Sequence, residues 1–181
     1  MVTSLEHAER SSPVGALLLY ARGGALCALA FADGRHEILP WLEKRFGRVD
    51  VRIADDPAGA ASALDRYFAG DLRALDALTV DTGGTPFQQR VWTALRAIPV
   101  GTAVSYSALA QAIGAPNAVR AVAAANGANP VAIVIPCHRV IGADGSLTGY
   151  GGGLARKRWL LAHEGAPLAH PGTPQGRIDF R

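Results

Sequence analysis

The stretch SYSALAQAIGAPNAVRAVAAAN, Ser105 to Asn126, decides how this chain is read. Its first part predicts a helix over Ser105–Ile113, stopped by Gly114. Its second predicts a helix over Asn117–Asn126, with Asn117 as N-cap and Gly127 just past the end. Two short helices separated by Gly114-Ala115-Pro116 fit a helix-turn-helix. The second helix carries one long cation, Arg120, on a surface otherwise built of Ala, Val and Asn, with Ala118, Ala121 and Ala123 around it. Small residues let a helix approach another backbone closely. Against nucleic acid, an Arg so placed can enter a groove or wedge between bases. The plainer reading is a solvated Arg on an Ala-rich helix.

Upstream, Pro86–Ile98 reads as another helix, capped by Thr85, with Phe87, Val91, Trp92 and Leu95 on one face. Before it, DTGGTP (Asp81–Pro86) is a turn-rich break that serves as a domain boundary. The first eighty residues predict a β-hairpin, Pro13–Tyr20 and Ala25–Phe31 around Gly23-Gly24. Helices over Ile38–Phe46 and Asp56–Phe68 follow, then a strand over Leu72–Val80. Downstream come the apolar run Val131–Ile135, the peptide Pro136-Cys-His-Arg-Val140, a Gly149–Gly153 run and a last helix Leu154–His163. The expectation is an α+β protein with three parts. Residues 1–80 form a small α/β scaffold domain. Residues 85–165 form a mostly helical, winged-helix-like domain containing the helix-turn-helix. Residues 166–181 form a Pro/Gly-rich, irregular or mobile C-terminal extension.

Composition narrows the function. The 181 residues are 49% hydrophobic and 18% charged, which excludes a disordered chain. Two Cys exclude a disulfide scaffold or a four-thiolate zinc site. Cys27 with His7 and His36 is too sparse a donor set for zinc, so no metal is expected. No apolar run approaches the ~20 residues that span a bilayer, and the N-terminus has no signal-peptide core. A cytoplasmic protein with reduced thiols and no membrane partner is expected. Residues 1–80 hold nine Lys and Arg against eleven Asp and Glu, whereas 81–181 hold nine against four. The basic half hints at an anionic partner, although such a charge is also ordinary for a hundred residues.

Cys137 is the leading chemical candidate, because His138 and Arg139 beside it could lower a thiol pKa. A buried, inert Cys is the competing reading, and it is the better one for Cys27 in its apolar strand. Glu164 is oddly placed for an acid near a helix C-terminus. A buried acid orienting a His would look like this, and so would a solvated one. Tyr106 opens its helix as a core aromatic would, and Asn129 before Pro130 is ordinary turn chemistry.

Taken in order, FQQRVW (87–92), SY..LA (105–110), RAV (120–122), NP (129–130), IPCHRVIG (135–142), GYGGG (149–153) and LLAHEG (160–165) resemble the O6-alkylguanine-DNA alkyltransferases. The match runs unbroken over about residues 85–165 and more weakly through the N-terminal part. The resemblance implies direct-reversal DNA repair. An alkyl group would pass irreversibly, once per molecule and without a cofactor, from O6-alkylguanine in double-stranded DNA to Cys137; O4-alkylthymine is a second substrate so implied. His138 and Glu164 resemble the pair that takes the thiol proton through a water, with Asn129 orienting the network. Tyr106 resembles the donor toward guanine N3. The main chain of Cys137 and Val140 would accept from the exocyclic amine, and Tyr150 and the Gly151 amide would line the pocket. The base must be flipped to reach Cys137, with Arg120 taking its place in the stack and the Asn117–Asn126 helix in the minor groove. Ala123 departs from the family's usual Gly and puts a methyl on that surface. A monomer is expected, with clustering on DNA left open. Other classes stay in view: a helix-turn-helix regulator or damage-binding protein without transfer, and a cysteine hydrolase.

Overall fold

The computed structural model describes residues 2–167, except the side chains of Arg35 and His36; beyond Pro167 the expected extension lies outside the described residues. The chain forms two compact units. Among the described residues, one comprises 2–83 together with Pro130–Val134; the other comprises Gly84–Asn129 and 135–167.

The first unit is built on a four-stranded sheet in the order β3-β2-β1-β4. β1 is Thr3–Arg10, β2 Leu17–Arg22, β3 Ala25–Phe31 and β4 Val49–Ile53. The β2–β3 hairpin turns at Gly23-Gly24, both at positive φ, as two glycines between apolar runs predict. β1 pairs antiparallel with β2 and parallel with β4. β1 and β4 are absent from the sequence reading. In β1 only Leu5 and Ala8 are buried among charged neighbours, and β4 is an edge strand with no buried residue. Helix α1 (Arg35–Phe46) lays Ile38, Trp41, Leu42 and Phe46 on Leu5, Leu18, Tyr20, Cys27 and Ala28. The helix expected over Asp56–Phe68 is broken, because Ala58 and Gly59 take left-handed φ before α2 (Ala60–Phe68) begins. The strand expected over Leu72–Val80 does not form. The segment closes successive backbone turns, and only Val80 bridges Leu26. Leu75 and Leu78, three apart, point inward together, a turn-like spacing misread as alternation.

The second unit is helical, as expected for the C-terminal part. Helix α3 (Pro86–Arg96) starts on a full capping box between Thr85 and Gln88, with Pro86 at N1. Helix α4 (Tyr106–Ala112) is capped by Ser105 and ends in a Schellman motif. In it Gly114, at φ +69°, donates to Gln111 and Ala115 donates to Ala110. Helix α5 (Val119–Gly127) completes the helix-turn-helix. Its N-cap is Ala118, not Asn117, because the turn entering it is closed by the backbone bond from Ala118 to Ala115. The Trp92 indole donates to the Ala125 carbonyl at 2.9 Å and ties α5 to α3. Helix α6 (Leu154–His163) closes the unit. A two-residue parallel pair, β5 (Val104–Ser105) with β6 (Val140–Ile141), sets Val104 opposite Val140 and Ser105 opposite Ile141. Among the described residues no helix is long and apolar enough to cross a membrane.

Candidate active site

The peptide around Cys137 is delivered by tight backbone geometry. In the sheet unit, Ile133 takes φ +69° and Val134 donates back to Ala132 at 2.8 Å, the strained form of the γ-turn. In the helical unit, Pro136 (φ −81°, ψ 62°) makes the relaxed inverse form, closed by Cys137 N–H on Ile135 C=O at 2.8 Å. Cys137–Arg139 is then a single 3-10 turn running into β6. The β5–β6 pairing brings Ser105, and with it Tyr106 at the start of α4, to the strand that follows the nucleophile.

The Cys137 thiol is buried and accepts from Asn129 Nδ2 at 3.1 Å; the same amide donates to Ile135 O at 2.8 Å. Burial pushes the thiol pKa up, against the pull of the Asn129 donor and the Lys157 charge. The resting group is therefore a thiol, and it needs a base before it can act as a nucleophile.

That base is geometrically available in His138, whose side chain is wholly buried. Its Nε2 lies 3.0 Å from Glu164 Oε1. A carboxylate only accepts, so Nε2 carries the proton and Nδ1 keeps a lone pair. Nδ1 has no hydrogen-bond partner among the described residues. Burial pushes the imidazole pKa down, and the Arg139 and Lys157 charges add to that against the raising pull of Glu164. His138 thus rests neutral, with a free acceptor nitrogen.

Glu164 is the C-cap of α6. The helix ends in a second Schellman motif, Gly165 donating to Ala162 and Ala166 to Leu161, with Ala166 packed on Leu161 and Ile141. This end-turn aims the carboxylate inward. Gly101 makes room for the backbone of this end-turn: at φ +78°, a Cβ there would sit 3.1 Å from the Glu164 main-chain carbonyl oxygen. Burial alone would raise the Glu164 pKa, but hydrogen bonds from His138 and Arg139 outweigh it and hold the carboxyl well below the usual range.

Tyr106 is half-buried. Burial raises its pKa, hydrogen bonds with the Thr148 and Asn126 side chains act the other way, and a thiolate at Cys137 is close enough to add to the rise. The Tyr150 ring stands edge-on to His138 at 6.5 Å between centroids. Cys137, His138, Glu164, Asn129, Tyr106, Val140 and Tyr150 thus form one neighbourhood, while Gly151 lies exposed in the turn after Tyr150. The remaining candidates form a separate surface. Arg120, Ala121 and Ala123 are exposed on α5 and Ala118 is half-exposed, while Val122, Ala125 and Asn126 face inward.

Two site residues escaped the sequence reading. Arg139, seen there only as a neighbouring charge, is buried with its guanidinium on Glu164. Lys157 is fully buried and donates to the carbonyls of Val140 (2.5 Å), Thr148 (2.7 Å) and Gly149 (3.4 Å). Burial pushes its pKa down to about 8. A signal for it existed: Lys157, Leu160, Leu161 and Glu164 fall at i, i+3, i+4 and i+7, the spacing of one buried helix face. No group of three or more His, Cys, Asp or Glu that could hold a metal occurs among the described residues.

Two family models match the chain. The ribonuclease-like domain of 6-O-methylguanine DNA methyltransferase covers residues 8–82, and the DNA binding domain of 6-O-methylguanine DNA methyltransferase covers residues 86–166. The chain belongs to the 6-O-methylguanine DNA methyltransferase family. Within it, the methylated-DNA--protein-cysteine methyltransferase of Salmonella typhimurium is 60% identical over 112 residues, 62% of this chain and 66% of that protein's length. The protein of the same name from Mycolicibacterium paratuberculosis is 49% identical over 160 residues, 88% of this chain and 92% of that protein. Among solved structures, Mycobacterium tuberculosis OGT in complex with DNA superposes with a TM-score of 0.71 at 42% identity, covering 91% of this chain and 96% of that one. The 6-O-methylguanine DNA methyltransferase fold is thus the frame in which both the Cys137 neighbourhood and the α5 surface are read.

Proposed function

We propose that this protein repairs DNA by direct reversal, moving an alkyl group from O6 of guanine in double-stranded DNA onto its own Cys137, once per molecule. The observation that carries the reading is the buried Cys137 thiol beside a neutral His138, whose Nε2 is tied to Glu164 and whose Nδ1 is open. His138 Nδ1 takes the Cys137 proton through a water molecule. The sulfur lone pair then forms the S–C bond as the C–O6 bond breaks, and the electron pair leaves on guanine. Guanine must be neutralised as it departs. The Tyr106 phenol, kept protonated by burial, supplies a proton toward N3, and solvent exchange through His138 restores it. The thioether cannot be undone by these groups, so the reaction ends there.

The Val140 carbonyl has two lone pairs and Lys157 uses one, leaving the other for the guanine amine. Tyr150 and the Gly151 amide form the rest of the pocket. A stacked base cannot reach a buried thiol, so the nucleotide is flipped. The exposed small-residue face of α5 suits a minor groove, with Arg120 as the wedge and Ala118, Ala121 and Ala123 against the backbone. O4-alkylthymine is the second substrate, and the protein acts as a cytoplasmic monomer without a cofactor.

The test is the intact mass of the protein after incubation with duplex DNA containing O6-methylguanine. The expected result is one methyl increment per molecule, absent in Cys137→Ser. Repeated turnover without an adduct would identify a hydrolase, and DNA binding with neither would identify a regulator; either result overturns the proposal.

A further inference from the structure

Glu164 has two claimants. His138 Nε2 reaches Oε1 at 3.0 Å. Arg139 takes the same Oε1 with Nη2 at 2.9 Å and Oε2 with Nε at 2.8 Å, a two-pronged ion pair. Its remaining Nη1 donates to the Ile98 carbonyl at 2.6 Å, just past the end of α3, where helix carbonyls lack partners. All three side chains are buried, so solvent does little to screen them. The guanidinium is held at three points, and its charge is spent on the carboxylate before the imidazole meets it.

This matters for a base. A buried imidazole facing an uncompensated carboxylate is driven toward its protonated form, and a protonated His138 cannot accept the Cys137 proton. We infer that Arg139 is a positioning residue of the transfer reaction: by occupying both oxygens of Glu164 it leaves that carboxylate to orient His138 without protonating it. The inference rests on the reading of Cys137 as acceptor and refines one part of it. Glu164 fixes the ring and the tautomer, and Arg139 keeps the proton off Nδ1 until the thiol delivers it.

The charged and titratable groups around His138 agree with this balance. Burial pushes its pKa down most, Glu164 pulls it up, Arg139 and Lys157 push it further down, and Cys137 and Tyr106 are neutral at rest. Removing the Arg139 charge takes away one of the two cationic pushes, leaves the effect of burial in place, and frees the carboxylate. His138 then stays protonated to higher pH, and the acid limb of the transfer rate moves up with it.

The experiment measures single-turnover transfer to Cys137 against pH in the full chain, for wild type, Arg139→Gln and Arg139→Lys. The His138 imidazole is titrated in parallel by NMR. In Arg139→Gln the acid limb and the His138 titration should both move to higher pH by about one unit. Arg139→Lys keeps the charge but not the fork, and should shift less, in the same direction. If Gln at 139 prevents folding, the Lys variant alone decides the matter. A uniform fall in rate with an unmoved limb and an unmoved His138 titration makes Arg139 a structural tie only and overturns the inference. Absence of a Cys137 adduct in wild type would sink the functional reading instead, and the NMR titration would still judge Arg139.

Discussion

At the scale of single residues, the site is a set of buried charges whose neighbours decide what each can do. Lys157 shows it most simply. Its ammonium serves one wholly buried residue, Val140, through the backbone carbonyl, and two carbonyls in the exposed turn before Tyr150. Replacing it by Met keeps most of the volume but leaves the Val140 oxygen without its donor in a dry place. An unsatisfied buried acceptor costs about 1–3 kcal/mol, whereas the carbonyls of Thr148 and Gly149 can turn to water. Lys157→Met should therefore lower stability by about 1–3 kcal/mol, read as a shift of the urea midpoint at unchanged slope. An unchanged midpoint would show that relief of the buried ammonium's desolvation offsets the lost bonds. At this scale the sequence was informative about chemistry and poor about partnership. Cys137, His138 and Glu164 stood out by residue type and by an awkward position, yet only folding shows that Arg139 and His138 share one carboxylate. Adjacent residues in a 3-10 turn diverge, and no spacing rule announces where two neighbouring side chains will converge again twenty-five residues away on Glu164.

At the scale of elements, capping chemistry made the helical part readable. Thr85-Pro86, Ser105 and Gly114 start and stop helices with local hydrogen bonds, so the local sequence suffices to place them. The sheet was harder. β1 and β4 are specified by pairing with distant strands, and their own residues carry too few apolar positions to show alternation. Between these cases lies the apolar run 131–135. Its sequence shows only an apolar, β-branched run, yet its centre is Ile133 at φ +69°, a conformation that β-branched residues strongly resist. Such a residue stores about 1–3 kcal/mol of strain and persists because its surroundings over-determine it. The side chain is also fully packed, at 1% exposure, so truncation opens a cavity. Two variants separate the effects. Ile133→Ala loses the packing and keeps a Cβ in the left-handed region; Ile133→Gly loses slightly more packing and relieves the backbone. The expected order is that Gly is the more stable of the two by about 1 kcal/mol, the reverse of the order in ordinary extended segments. Urea unfolding of both variants decides it, and Ala outlasting Gly would mean that the backbone here is not strained.

At the scale of the whole molecule, the units divide by what they bury. Among the described residues the buried polar and charged side chains are Ser105, Asn126, His138, Arg139, Lys157 and Glu164, all in the helical unit. The sheet unit buries Leu, Ala, Cys and Tyr side chains and keeps its charges outside. The charge asymmetry visible in the sequence points to the same half but misses its substance, since the net count cannot tell exposed charges from buried ones. The consequence on acidification is a pH dependence whose buried groups, His138 and Glu164, sit in the helical unit. His138 has a folded pKa below its ordinary 6.5, so between that lowered value and 6.5 the unfolded chain binds the proton and the folded one does not. Stability therefore falls as pH drops below about 6.5. Glu164 is also depressed, from 4.5, so its contribution is complete above that value and is lost as pH falls below it. Both slopes have the same sign and follow one another on acidification. Of the three Trp residues, Trp41 lies in the sheet unit and Trp92 and Trp159 in the helical unit. A Trp41→Phe protein thus reports on the helical unit by fluorescence. Followed downward from pH 7, where Lys157 with its pKa of about 8 stays charged, its urea midpoint should be level to about 6.5, decline between 6.5 and 5, and decline further below 4.5. His138→Gln in the same background should remove the first decline and keep the second. A midpoint that stays level down to pH 5 with His138 present would mean that the imidazole is not held neutral in the fold, and the base assigned to Cys137 would then be charged at rest.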